Sequence, residues 1–170
     1  QDNLSAQLAL LRVTAPMVVL SGTGLNDDLN GVESPVSFPV KDMDGRKAEV
    51  VHSLAKWKRM KLAQMGVPSG RGIYTDMNAL RPEEELDNIH SIYVDQWDWE
   101  KVITRENRNL DYLKLIVRAI VKAICSTNEH LQVRYPQLHT VLDPEVSFIT
   151  SQELEDLYPD LDDHGREDAY

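Results

Sequence analysis

The residues best suited to chemistry lie between positions 71 and 100, where two strand-like runs flank an acidic seven-residue loop. The first run ends in Arg81, followed by Pro82 and Glu83. The second run carries one set of alternating side chains, His90, Val94, Gln96 and Asp98. An arginine fork can bind two phosphate oxygens and keeps its charge, so a fixed cation, an amide and a carboxylate share one hairpin. This combination predicts a site for an anionic nucleotide and a charged small substrate.

Two ordinary structural explanations of this hairpin remain open. Its polar face could simply meet water, although the opposite face is polar as well, because alternation places Ser91 and Asp95 there. Arg81 could form a surface ion pair with Glu83 or Glu84. The spacing of the residues alone does not exclude either explanation.

A second candidate group lies in a helix predicted over residues 53–65, with Ser53 placed to cap its N-terminus. On the helical projection Lys58 falls between Leu54 and Leu62, on the apolar side. Burying an ammonium group without a partner is costly, so an inward lysine indicates a site. The alternative, which the sequence supports equally, is that Ser53 only caps the helix and that the Lys58 side chain extends along apolar surface until its ammonium group reaches solvent.

A metal site is not predicted from these residues. The loop at 26–31 has some of the spacing of a calcium loop, but it starts on Asn26 and would end on Ser37 instead of glutamate. Asp27 and Asp28 are therefore interpreted as turn formers, or as substrate contacts if the loop faces the pocket. The chain has no Cys/His cluster with metal-ligand spacing. His52, Cys125 and the three tryptophans are assigned to the core or an interface.

The elements that must position these residues follow from periodicity and from helix and turn signals. The first part of the chain should form a helix at 2–11, a strand at 11–20 interrupted by Pro16, and strands at 36–40 and 48–51 joined by a turn at 44–45. A helix is predicted at 107–124, with an apolar face made of Leu110, Leu113, Val117, Ile120 and Ile124. A strand at 146–150 and a helix that is capped by Ser151 and ends before Pro159 complete the prediction. Strands mixed with helices, in hairpins as well as crossovers, predict an α+β fold with a mixed, mainly antiparallel sheet flanked by helices.

Composition limits the class of protein. With 170 residues, of which 42% are hydrophobic, the chain fits one domain. Its single cysteine fits a reducing compartment, and no apolar run reaches about 18 residues, so we expect a cytoplasmic protein without a membrane span. The net charge is −10, and residues 151–170 hold −7 of it, which leaves −3 for the rest. This balance argues against nucleic-acid binding, which relies on basic surface.

Four long strings carry a resemblance that covers nearly the whole chain: VVHSLAKWKR (50–59), YTDMNALRPEEE (74–85), HSIYVDQWDWEKV (90–102) and SQELEDLYPDLD (151–162). On them the chain resembles the asparagine synthetase A family, the AMP-forming aspartate–ammonia ligases. The resemblance implies the catalytic fold of class II aminoacyl-tRNA synthetases. Because the family chain is about twice as long, residues 1–170 would be the N-terminal half of one catalytic domain. Gln1 opens the chain within a predicted helix, which also suggests a fragment.

The class motifs carry over residue by residue. Residues 9–18 look like motif 1, whose proline, here Pro16, lies at a homodimer interface. Motif 2 would place Arg81 on the α-phosphate of ATP. The ATP-binding residues implied by this motif are Arg81, Glu83, Ser91 and Val94. Val94 stands where the family motif usually has an aromatic residue stacked on adenine, so that contact should be aliphatic and weaker.

The aspartate site is implied in the same way. Lys58 would hold the side-chain carboxylate of aspartate, with Ser53, Gln96 and Asp98 near the α-amino group and Asp27 at the substrate. The implied reaction activates aspartate with ATP to β-aspartyl-AMP, which ammonia converts to asparagine, and Lys58, Arg81 and Gln96 are the implied catalytic residues. The ligands of Mg²⁺ would lie in the other half of the family chain, so activity of residues 1–170 alone is not expected.

Two other classes of function compete with this interpretation. The chain could be a catalytically incompetent fragment or paralogue that binds aspartate or a partner chain without turnover. It could also be a relative of the aspartyl-tRNA synthetases, but that class predicts a basic tRNA-binding module. The acidic tail and the nearly neutral remainder speak against such a module.

Overall fold

The computed structural model describes residues 1–27, 29, 31 and 33–170 and shows a mixed fold of helices and two small sheets. The helices are α1 (Asp2–Leu8), α2 (Ala55–Gln64), α3 (Leu110–Arg134), α4 (Ser151–Leu157) and α5 (Asp163–Ala169), with one 3₁₀ turn at Lys41–Met43. The strands are β1 (Leu10–Arg12), β2 (Val18–Leu20), β3 (Ser37–Pro39), β4 (Lys47–Val50), β5 (Gly72–Leu80) and β6 (Tyr93–Lys101).

The first sheet has the order β1-β5-β6 and contains the predicted hairpin. β5 and β6 are antiparallel, with Thr75 opposite Asp98 and Met77 opposite Gln96, while β1 runs parallel to β5. The pairing demands a glycine at position 72, where a Cβ would overlap the carbonyl oxygen of Glu100. The antiparallel hairpin predicted from the sequence is therefore confirmed.

The hairpin loop is longer than predicted. β6 begins only at Tyr93, so residues 81–92 form the connection and His90 lies outside the strand. The cause is Asp87, whose Oδ1 accepts the backbone N–H groups of Ile89 and His90 at 2.8 and 2.7 Å. These bonds turn the chain locally, so the placement of His90 on the strand alternation is wrong.

The two faces of the hairpin have different neighbours, because opposed residues of an antiparallel pair project to the same side. We call the side that carries Met77, Ala79 and residues 94, 96 and 98 the site face. Met77 and Ala79 pack there with the buried residues Val19, Val51 and Leu54, so the main core lies on this side. On the opposite face the rings of Tyr74 and Trp97 meet edge to face at 5.2 Å.

The second sheet has the order β2-β4-β3, and both of its pairings are antiparallel. It confirms the predicted strand pair at 36–40 and 48–51. The 3₁₀ turn precedes Asp44 and Gly45, which have positive φ angles of 53° and 74° and reverse the chain. This sheet supplies Val19 to the core and leads directly into Val51 and His52.

The N-terminal prediction needs two corrections. α1 ends at Leu8 and not at residue 11, because Ala9 adopts a left-handed conformation with φ 56° and the next three residues pair with β5. The predicted strand at 11–20 is two short strands, β1 and β2, that belong to different sheets. Pro16 lies between them, which agrees with its inability to donate to a strand ladder.

The long helix differs from its prediction mainly in extent and burial. α3 starts at Leu110 behind the capping side chain of Asn109 and continues to Arg134. Val117 and Ile120 of its predicted apolar face are half-buried. Leu110 is 69% exposed, and Leu113 and Ile124 are also more than half exposed, so only the middle of that face behaves as core.

Two further corrections concern the C-terminal part. Residues 146–150 are not a strand, since none of the described strands pairs with them. Phe148 lies instead against the cations of Lys114 and Arg118 on α3, each 5.2 Å from its ring centroid. The cap of α4 is Thr150 and not Ser151, because Thr150 and Glu153 form a reciprocal capping box.

Candidate functional site

The start of α2 is held by a residue from a distant loop. Ser53 does not cap the helix, so that prediction is wrong; its Oγ donates a hydrogen bond to Asp27 Oδ2 at 3.2 Å. The same carboxylate oxygen accepts the backbone N–H of Lys56 at 3.3 Å, and Lys56 Nζ lies 3.6 Å from Oδ1. Asp27 therefore supplies the acceptor that a cap residue normally provides, near the positive end of the helix dipole. Asp28, the other predicted contact, lies outside the described residues.

The inward lysine of α2 is fully buried. Lys58 is 0% exposed, as is Leu54 one turn earlier, so the alternative of a lysine that reaches solvent is wrong. Its Nζ donates to Asp98 Oδ2 across the site face, in an ion pair whose carboxylate side chain is 31% exposed. A buried ammonium group needs such a partner, and breaking the pair would leave an uncompensated charge.

The site face extends from this ion pair along β6. Gln96 is half-buried, and its Oε1 is shielded from solvent without a hydrogen-bond partner among the described residues. Val94 packs against the core cluster. Since both Gln96 and Asp98 are half-buried, the alternative of a face that simply meets water does not hold. An unpaired amide oxygen next to a carboxylate can accept hydrogen bonds from an ammonium group.

Arg81 lies at the far end of the same hairpin, where β5 enters the loop. Its side chain is 25% exposed, and Nη1 is 3.8 Å from Glu84 Oε2. The backbone N–H of Arg81 donates to Ile92 O at 2.8 Å, which extends the ladder beyond the strand ends. The proposed surface pair with Glu84 thus exists, but the guanidinium is largely buried and its Nε has no partner in the described part of the chain.

The other predicted residues of the hairpin loop are more exposed. Glu83 accepts the backbone N–H of Ser34 at 3.0 Å, and Ser91 is exposed. The hydrogen bond and the charge of Asp87 raise the pKa of His90, whose Nδ1 lies 2.9 Å from the carboxylate. These contacts organise the loop and do not reach the pair formed by Lys58.

Two buried residues near Arg81 were not among the predicted site residues. His52 is 1% exposed, which confirms its assignment to the interior, but its Nε2 has no partner among the described residues. It lines a cavity of about 50 Å³ together with Arg81 and Glu84. Asn26 accepts the backbone N–H of His52 at 2.8 Å and donates to Val50 O at 3.3 Å. The contacts of these two residues could not be predicted from the sequence, because the residues they meet are distant in the chain.

The structure brings one group of the predicted residues together and separates another. Lys58 and Asp98 are bonded, Gln96 lies next along the same face, and Ser53 is bonded to Asp27 at the start of the helix that carries Lys58. Arg81 stands three alternate positions beyond Thr75, the residue opposite Asp98, so about 20 Å of extended backbone separates the Cα atoms of residues 75 and 81. The site face is thus a stripe with an ion pair at one end and an arginine at the other.

The described ranges 1–27, 29, 31 and 33–170 hold no group of three or more His, Cys, Asp or Glu side chains arranged to bind a metal ion. Within the same ranges, no helix is both long and apolar enough to cross a membrane.

Comparison with known proteins places this arrangement in a family. A family model described as aspartate–ammonia ligase matches residues 1–170. The aspartate–ammonia ligase of Bacteroides fragilis is 57% identical over 169 residues, which cover 99% of this chain and 49% of the relative. Those of Clostridium tetani and Clostridium perfringens are 58% identical over 166 residues and 54% identical over 169 residues. The match to the Clostridium tetani protein covers 98% of this chain and 49% of that relative. The match to the Clostridium perfringens protein covers 99% of this chain and 50% of that relative.

The chain spans about half the length of the curated relatives it matches. The match nevertheless runs through the whole of residues 1–170, including the helix and the hairpin that form the site face. On this basis the chain belongs to the aspartate–ammonia ligase family.

Proposed function

We propose that the protein containing this chain is an ATP-dependent ligase that makes L-asparagine from L-aspartate and ammonia and releases AMP and pyrophosphate. The observation that carries the proposal is the ion pair between the buried Lys58 and Asp98, beside Oε1 of Gln96, which has no hydrogen-bond partner among the described residues. A cation, a carboxylate and a free acceptor on one face complement the charges of a zwitterionic amino acid with a second carboxylate.

Aspartate can enter this site by exchanging partners with the protein. Its β-carboxylate would take the ammonium of Lys58, while its α-ammonium would take the carboxylate of Asp98 and the oxygen of Gln96. Each buried charge then keeps an opposite partner, which avoids the penalty of an isolated buried ion. Ser53 and Asp27, which are hydrogen-bonded to each other next to the start of α2, would line the aspartate site.

ATP would bind toward the other end of the stripe. Arg81 is the group for the α-phosphate, since its charge is permanent and its fork can contact two oxygens. Val94 offers an aliphatic surface to adenine, with Glu83 and Ser91 in the adjoining loop. We expect the residues that would hold Mg²⁺ in the part of the relatives' length that this chain does not span.

The reaction follows in two balanced steps. A β-carboxylate oxygen of aspartate attacks the α-phosphorus, a new P–O bond forms, and the bond to pyrophosphate breaks. Ammonia then attacks the β-carbonyl carbon, AMP leaves with the bonding electrons, and the nitrogen loses a proton to give the amide. Lys58 orients the nucleophile and Arg81 stabilises the charge that develops on the phosphate, so positioning and electrostatics supply most of the acceleration.

Three broader features belong to the same proposal. Residues 1–170 would form the N-terminal half of one class II synthetase-like catalytic domain, which the antiparallel hairpin next to a parallel strand supports. A homodimer interface near Pro16 is supported by its neighbours Leu11 and Met17, which are 57% and 67% exposed. The single cysteine, Cys125, supports the cytoplasm as the compartment.

The decisive experiment incubates the full-length protein with ATP, aspartate and ammonium and measures asparagine and AMP. We expect equal amounts of both products, and loss of both by at least about a hundredfold in Lys58→Ala, because the nucleophile loses its counter-ion. Lys122→Ala, an exposed lysine of α3, is the matched control and should keep full activity. If the full-length wild-type protein forms neither product, the ligase assignment is wrong and a non-catalytic binding role takes its place.

A further inference from the structure

Two buried polar atoms beside the proposed phosphate end of the site have no hydrogen-bond partner among the described residues. They are Nε2 of His52 and Nε of Arg81. His52 as a whole is only 1% exposed. Buried donors and acceptors are nearly always satisfied in folded proteins, by protein groups or by ordered water, so two orphan atoms in one place need an explanation.

A single cavity borders both residues, and its lining also includes the acidic residues Glu33, Glu83 and Glu84. His52 and Arg81 line the same space of about 50 Å³. One water needs roughly 10–15 Å³ and two to four polar partners, so the space has room for at least one water. The Nε–H of arginine can only donate, whereas Nε2 of a neutral histidine can accept. A water molecule that accepts from the first and donates to the second would satisfy both.

The surroundings hold the two side chains in place. Asn26 accepts the backbone N–H of His52 at 2.8 Å and is itself tied to Val50 O of β4 at 3.3 Å. The backbone under the imidazole is therefore anchored to the second sheet. On the other side of the guanidinium, Nη1 of Arg81 lies 3.8 Å from Glu84. Two of the three nitrogens of the guanidinium thus have assigned neighbours once the water is present.

We propose that this cavity is a binding site for one ordered water that bridges His52 Nε2 and Arg81 Nε, and that His52 is a positioning residue for the guanidinium. Glu84 engages Nη1 and the water engages Nε, which leaves Nη2 to meet the α-phosphate of ATP. The role in ATP binding rests on the proposed function, whereas the water site does not. Arginine loses less freedom when its fork is oriented in advance, and the bound nucleotide benefits.

The kinetic test uses pyrophosphate exchange into ATP, driven by aspartate, in the full-length protein. His52→Leu removes the acceptor, and we expect kcat/KM for ATP to fall about tenfold to a hundredfold, the usual effect of losing a hydrogen bond to a charged group. KM for aspartate should change less than about twofold, because Lys58 and Asp98 are untouched. His52→Gln offers a carbonyl oxygen to the water and should recover most of the loss.

The matched control is His130→Leu, the same change at an exposed position of α3, which should leave every parameter at the wild-type value. A His52→Leu enzyme that equals wild type, or that loses aspartate and ATP affinity equally, would overturn the positioning role. So would a failure of His52→Gln to recover more activity than His52→Leu.

A crystal structure of the full-length protein tests the water directly and independently of activity. We expect density for one water within about 3.2 Å of both His52 Nε2 and Arg81 Nε. A dry cavity, or a water that contacts only one of the two atoms, would overturn the inference even if the enzyme makes asparagine. A wild-type protein without pyrophosphate exchange would refute the proposed function. The crystal structure would still show whether the water is bound. It would also do so if the His52→Leu protein does not fold.

Discussion

Replacing Asp98 with asparagine should destabilise the protein more than removing the lysine to which Asp98 is bonded. Lys58 is 0% exposed, so Asp98→Asn leaves a fully buried ammonium group without a counter-ion. Breaking a buried pair in this way costs about 3–5 kcal/mol, and we expect about 3 kcal/mol because the amide oxygen of asparagine still accepts one hydrogen bond. Lys58→Met leaves a carboxylate that is 31% exposed and can turn to water, so its cost should be about 1 kcal/mol.

The double variant distinguishes this electrostatic reasoning from a general loss of packing. Simple addition of the two single effects would give about 4 kcal/mol. When Lys58→Met and Asp98→Asn are combined, no buried charge remains, so we expect only about 1 kcal/mol. The measurement is urea unfolding of the four proteins at constant salt, with the free energy of unfolding taken from midpoint and slope.

A control ion pair between the same helix, α2, and the same strand, β6, calibrates the result. Arg59 and Glu100 are 3.3 Å apart, but the arginine side chain is 67% exposed, so Glu100→Gln should cost less than about 1 kcal/mol. If Asp98→Asn is no more destabilising than Glu100→Gln, or if Lys58→Met is the more harmful of the two partners, the burial argument is wrong. Additive effects in the double variant would equally contradict it.

Three other predictions follow from local geometry. Gly72→Ala should destabilise the protein by at least about 1–3 kcal/mol in urea unfolding, because the new Cβ would overlap the backbone of β6. The pKa of His90 is raised by Asp87. The stabilisation of the loop by this pair should therefore be complete at acidic pH values that keep Asp87 ionised, and it should be lost as pH rises through the pKa of folded His90. NMR titration should show that Asp87→Asn moves the His90 titration to lower pH. Thr150→Ala should cost about 1 kcal/mol through loss of the capping box, whereas Ser151→Ala should be nearly neutral, and equal effects would show that the cap is assigned to the wrong residue.

Local periodicity was sufficient to predict a large part of this site. The period of two along β6 predicted that Val94, Gln96 and Asp98 share one face, and the period of 3.6 along α2 predicted an inward Lys58, as the structure shows. Both predictions depend only on the geometry of one element and on which side of that element is apolar. Residues that are close together in the sequence determine both of these properties. For the same reason the apolar run at 146–150 was misleading, since a strand also needs a partner with which to pair.

The contacts between elements were decided only by the tertiary structure. Asp27, which accepts the hydrogen bonds at the start of α2, lies 26 residues before its partner Ser53 in the chain. Lys58 and Asp98, which form the ion pair, are 40 residues apart. The cavity between His52 and Arg81 exists only because β4 and the hairpin loop converge. Such contacts form when packing brings distant segments together, and no pattern within either segment encodes them. The sequence by itself determined which side chains could act, and the packing of α2 on the hairpin determined the partner that each of them meets.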